Sequence, residues 1–116
     1  MSNINRINVG KRLSDMAVHH GVAYLAGQVA DDTMQDITGQ TGQILAVIDK
    51  LLATAGTDKT RILMAQIFVA NMKEFDGMNK AWDAWVAEGN APPRATIEAR
   101  LASADYKVEI VVTAAV

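Results

Sequence analysis

The chain has 116 residues, 50% of them apolar, and 11 Lys+Arg against 13 Asp+Glu give a net charge of −2. That length suits a single domain, residues 1–116, and the apolar share can build a core without covalent staples. The absence of cysteine excludes disulfides, thiolate catalysis and cysteine-based zinc or iron–sulfur sites, and a charge balance without a basic stripe argues against a nucleic-acid partner.

Residues 1–10 are polar and lack the apolar run of a secretory leader. Residues 12–20 and 22–28 are short apolar stretches meeting at His20-Gly21, which predicts a hairpin. Residues 31–36 are polar and acidic, as in a loop. Ile37, Thr41, Ile44, Leu45, Ile48, Leu51, Leu52 and Ala55 then recur at three- and four-residue spacing, predicting an amphipathic helix capped by Asp36 and ended by Gly56. Residues 62–70 are almost continuously apolar, as in a strand covered on both faces. Asn71 and Glu74 resemble a capping box; Phe75, Met78, Trp82, Trp85 and Val86 mark a second helix, and Gly89-Asn90 ends it. Residues 94–101 and 107–115 predict a closing hairpin with a polar turn at 103–105. No stretch approaches the roughly 20 apolar residues of a membrane span. The expectation is a cytoplasmic protein without a membrane partner.

The resulting order, ββαβαββ, predicts an α+β fold with two helices covering one face of a mixed sheet. In the strand from Arg94, the apolar row Ala95, Ile97 and Ala99 is assigned to the helix side, and Arg94, Thr96, Glu98 and Arg100 to the other. In the last strand Val108, Ile110 and Val112 go beneath the helices, with Glu109, Val111 and Thr113 outward. An outward face mixing polar with apolar residues predicts burial against another subunit.

His19 and His20 are adjacent, so in a strand they point to opposite faces and make a poor chelating pair; no metal is expected. Neither a nucleophile elbow nor a glycine-rich phosphate loop is present, and no cofactor is expected. Arg94 follows Pro92-Pro93, a stiff lead-in, and its planar fork matches a carboxylate. From residue type alone, a surface arginine at a strand start is the commoner reading. Glu109, between Val108 and Ile110, is either an exposed strand residue or a buried carboxyl placed for proton transfer.

Gly27-Gln28, Asp36-Ile37 with Gln40-Thr41 and Gln43, Ala55-Gly56, Ile67-Phe68-Val69, Met72, Phe75, Met78-Asn79, Pro93-Arg94-Ala95, Glu98-Ala99 and Val108-Glu109-Ile110 fall in order along nearly the whole chain. Together they resemble the Rid (YjgF-like) family. The resemblance implies a chorismate-mutase-like fold, a homotrimer with clefts between subunits, and hydrolysis of 2-enamine and 2-imino acids to 2-keto acids and ammonia. That is the 2-iminobutanoate/2-iminopropanoate deaminase type of activity, which uses no cofactor. It also implies that Arg94 binds the substrate carboxylate and Glu109 handles water and protons. Thr96, Asn79 and the backbone of Gly27 would line the cleft. Many members carry a tyrosine and a hydroxyl residue where this chain has Leu13 and Ala26. With Trp82-Asp83-Ala84-Trp85, these departures point to a branch outside the archetypal RidA group. A second reading is a non-catalytic trimer that binds 2-keto acids or another metabolite for regulation. A third, an endoribonuclease, is disfavoured by the acidic balance and the lack of a spaced histidine pair. Elemental analysis of the purified protein is expected to find no stoichiometric metal, and chelators should leave its activity unchanged.

Overall fold

The computed structural model describes residues 3–116; Met1 and Ser2, where the polar lead-in begins, lie outside the described residues. The rest of that lead-in contains a strand the sequence reading missed, β1 (Asn5–Val9), paired antiparallel with β2 (Ser14–His19). It lies at the sheet edge, where only Ile7 packs toward the core and the polar neighbours can face solvent. His20 and Gly21 join β2 to β3 (Val22–Leu25) with φ of 50° and 77°. Two positive φ values in a two-residue loop are the mark of a type I′ turn, whose twist matches the strands it joins.

The first helix, α1 (Ile37–Thr54), starts where the Asp36 carboxylate accepts from the Gly39 N–H. It ends in a Schellman motif. Gly56 at φ 80° sends its N–H to the Ala53 carbonyl, and the Thr57 N–H reaches the Leu52 carbonyl. The second helix departs from the expected capping box. Asn71 caps a short 3₁₀ turn through the Lys73 N–H, and α2 (Phe75–Trp85) follows with no side-chain cap at Glu74.

With β4 (Ile62–Val69), β5 (Arg94–Glu98) and β6 (Val108–Ala115), the strands form one six-stranded mixed sheet in the order β1-β2-β3-β6-β4-β5. The closing hairpin expected from the sequence does not form. β5 pairs parallel with β4 at the far edge, and β6 inserts between β3 and β4, antiparallel to both. A strand that buries every second residue gains more from two ladders than from one. The short β5, led by Pro92-Pro93, suits an edge.

Ala65, Ile67 and Val69 of β4 and Val108, Ile110, Val112 and Ala114 of β6 lie beneath the helices with Ile44, Leu45, Ile48 and Leu52 of α1. The other face is open. β4 was expected to be covered on both sides, yet Leu63, Met64 and Gln66 are exposed in the single chain. Tyr24, Met64 and Ile97 on that face are 51%, 44% and 47% exposed.

Two glutamines on α1 organise the connections. Gln43 exchanges two hydrogen bonds of 3.0 Å with the backbone of Asp32. Gln40 is fully buried; its amide group donates toward the carbonyls of Thr33, Gln35 and Asp105 and its carbonyl accepts from the Lys107 N–H at 2.9 Å. A buried amide bonded through both its nitrogen and its oxygen is costly to remove. Gln40→Met keeps the volume but orphans those groups. It is expected to lose about 2–4 kcal/mol, a fall of roughly 8–16 °C in melting temperature at fixed protein concentration. Calorimetry checks it.

Candidate functional site

Arg94 begins β5 directly after the proline pair. The Pro93 carbonyl accepts from the Ala65 N–H at 3.0 Å, so the parallel ladder is already set when the strand starts. Arg94 lies opposite Ala65 and Thr96 opposite Ile67, both fully buried beneath the helices. Partners in register share a face, so Arg94 and Thr96 point to the helix side and Ala95 and Ile97 to the open side. This reverses the assignment made from alternation. In an edge strand the apolar row need not face the core, and the arginine stem can lie along the core's rim with its head at the margin.

The Arg94 guanidinium carbon lies 5.2 Å from the ring centre of Trp82 and 6.0 Å from that of Phe75. Phe75, Asn79 and Trp82 stand at i, i+4 and i+7 on one stripe of α2, which sets the half-buried Asn79 between the two aromatic positions. The Thr96 hydroxyl oxygen is buried and has no hydrogen-bond partner among the described residues. A buried hydroxyl without a partner is uncommon. Arg94, Thr96 and Asn79 are thus brought to one side of the β5 edge, with a cation and a hydroxyl donor suited to an anion.

Glu109 belongs to a different place. It is half-buried on β6 between Val108 and Ile110, opposite Phe68, on the open face. Of the two readings the sequence left, it is therefore neither fully exposed nor sealed in the core. Gln28 bridges to Ile110 through backbone hydrogen bonds of 2.9 and 3.1 Å, bringing the neighbouring Gly27 beside Glu109. A Cβ on Gly27 would stand 2.0 Å from Glu109 Oε2. In the rotamer Glu109 adopts, its carboxylate occupies the volume that a Cβ at this position would fill. Ala26, next to it, offers only a methyl group. Its N–H donates to the Asp15 carbonyl and its own carbonyl accepts from Gln28 Nε2. Leu13 is exposed in the turn before β2.

The structure divides the residues singled out from the sequence into two groups. Arg94, Thr96 and Asn79 sit at the helix side of β5; Gly27 and Glu109 sit on the open side of β6. Two strand spacings, roughly 10 Å, and the thickness of the sheet separate them. A single chain does not bring Arg94 and Glu109 to one ligand. A concavity of about 730 Å³ on the chain lies instead at the β5–β6 connection, between Ala70, Glu98, Arg100, Ser103 and Tyr106, and includes neither residue. Sequence reasoning also missed Phe75 and Trp82 as neighbours of Arg94. Their helical spacing marked them as core, and only the inverted face of β5 would have revealed the contact.

A model of the family described as Endoribonuclease L-PSP matches residues 3–116. The chain is 57% identical over 113 residues to a RutC family protein of Haemophilus ducreyi, with 97% of each chain covered. It is 45% identical over 113 residues to the RutC family protein YoaB of Escherichia coli, covering 97% of this chain and 98% of that one. Among solved structures, an uncharacterized protein from Pseudomonas aeruginosa superposes with a TM-score of 0.95 at 43% identity, covering 97% and 98% of the two chains. A YjgF family member from Neisseria meningitidis gives a TM-score of 0.95 at 39% identity, covering 97% and 94%.

Gly27→Ala should push the Glu109 carboxylate into another rotamer while the melting temperature stays within about 5 °C, because the clash is with the end of a flexible side chain. A crystal structure of the variant checks this. An unmoved Glu109 beside a shifted backbone would contradict it.

Proposed function

This chain belongs to the YjgF/Rid family, grouped under the description Endoribonuclease L-PSP, and on that premise we propose that it hydrolyses reactive 2-enamine and 2-imino acids to 2-keto acids and ammonia in clefts between the subunits of a homotrimer. The observation that carries the reading is the division of the site. A cationic half at the β5 edge and a carboxylate half on the open face of β6 can serve one ligand only if two copies meet. The exposed apolar side chains on the same face as Glu109, including Met64, Ile97 and Tyr24, support such a contact.

Arg94 holds the substrate carboxylate through its two-donor edge, and Thr96, two residues on along the same face of β5, borders that half of the site. Asn79 borders the same half. From the neighbouring subunit, Gly27 makes room for the Glu109 carboxylate, and Glu109 positions water. An enamine first tautomerises to the imine. Glu109 then takes a proton as the water oxygen bonds to the imine carbon, and the proton passes to nitrogen. Collapse of the resulting carbinolamine breaks the C–N bond, releases ammonia and leaves the keto group. An imine already reacts with water, so orientation and one acid–base group suffice, and no cofactor is needed.

A non-catalytic role as a 2-keto acid binder would use Arg94 in the same way and leave Glu109 without chemistry. A ribonuclease role draws less support from this chain. Its net charge is −2, and its histidines, His19 and His20, lie at the β2–β3 turn rather than beside Arg94.

Freshly generated imines from an amino-acid oxidase provide the test. Arg94→Ala should lower kcat/KM by about 2–4 kcal/mol, roughly thirtyfold to a thousandfold, with Arg94→Lys only partly restored. Glu109→Gln should lower kcat more than it raises KM. Mixed trimers assembled from Arg94→Ala and Glu109→Gln chains should recover up to about a quarter of wild-type sites, because random assembly joins one intact half from each in about one interface of four. Sedimentation of a stable monomer, or mixtures no more active than their parents, would overturn the shared cleft. Keto-acid binding without turnover would favour the regulatory reading.

A further inference from the structure

Arginine is a flexible side chain, and a guanidinium that must meet a carboxylate in one plane binds best when its orientation is set beforehand. Around Arg94 the feature able to set it is aromatic. Trp82 is 5% exposed, held between α2 and the sheet, and its ring lies 5.2 Å from the guanidinium carbon. Phe75 stands at 6.0 Å. A cation over an aromatic face is attracted by the ring quadrupole while its N–H edge stays free for a ligand.

We infer that Trp82 is a positioning residue for Arg94, a fixed plate that orients the guanidinium toward the incoming carboxylate. The inference rests on the reading of Arg94 as a carboxylate clamp. The second tryptophan is an internal control. Trp85 packs 5.3 Å from Trp82 and donates from Nε1 to both carboxylate oxygens of Asp49 on α1 at 3.1 and 3.0 Å. Lys59 donates to the Trp85 carbonyl and stands over its ring. Trp85 therefore ties α2 to α1 and to the start of β4, away from the guanidinium. Loosening of the helix and loss of the plate can be separated by changing one tryptophan at a time.

The experiment titrates a short 2-keto acid, pyruvate, into wild-type protein and into Trp82→Phe, Trp82→Leu, Trp85→Phe and Arg94→Ala by calorimetry, with melting temperatures measured without ligand. KM and kcat for a freshly generated imine are read in parallel. Trp82→Leu should weaken pyruvate binding about tenfold and Trp82→Phe about two- to threefold, with KM rising in step and kcat at saturation changed less than about twofold. Trp85→Phe should lower the melting temperature yet keep pyruvate affinity within about twofold. If Trp82→Leu does not fold, the contrast between Trp82→Phe and Trp85→Phe decides. Trp82 variants that bind pyruvate like wild type, or a Trp85→Phe variant weakened as much as Trp82→Phe, would overturn the inference and leave Trp82 as core alone. Wild-type affinity in Arg94→Ala would instead overturn the clamp on which it rests.

Discussion

Alternation along β6 constrains everything built around it. Val108, Ile110, Val112 and Ala114 are buried beneath the helices, so Glu109, Val111 and Thr113 must face the other way. A slip of one residue would bury the carboxylate and expose those apolar side chains together, at roughly 1.5–3 kcal/mol for each large one. Ladders to β4 on one side and β3 on the other hold the register. Gly27 then follows as a consequence. The bridge from Gln28 to Ile110 carries the preceding residue against the Glu109 carboxylate, so a side chain there would displace that carboxylate from its rotamer.

The buried glutamine of α1 works on the same strand from its beginning. Gln40 holds the Asp105 carbonyl and the Lys107 N–H, the last turn of chain before Val108. It also holds Thr33 and Gln35, in the loop that leads into α1 itself. One side chain thus joins the entry to the helix with the entry to the central strand. Its partners are backbone groups outside any helix or strand ladder, and the side chain supplies hydrogen bonds that the ladders do not.

At the opposite margin, β5 takes its orientation from β4. The parallel register sends Arg94 and Thr96 to the side of Ala65 and Ile67, at the border of the core, where α2 supplies the Trp82 and Phe75 rings. The sheet itself is therefore the wall between the two candidate halves of the site. Chemistry requiring both calls for a second copy of the chain, as the proposed cleft does. The open face of Tyr24, Met64 and Ile97 gives such a copy an apolar surface to cover.

The sequence by itself determined whatever depends on neighbours along the chain. The hairpin at His20-Gly21, the Asp36 cap, the Gly56 ending and the buried row of β6 all rest on local backbone preference or on a strict period, and the structure has them where the residues predicted. The family was legible for a related reason, since its signature lies in short runs such as Pro93-Arg94-Ala95 and Val108-Glu109-Ile110. Tertiary structure alone decided the insertion of β6 between β3 and β4, the edge position of β1 and the direction of Arg94 and Thr96. Strand order is a choice among distant partners. The face of an edge strand follows from its neighbour's register rather than from its own pattern, and Ala95 and Ile97 read as core until Ala65 and Ile67 are set opposite Arg94 and Thr96.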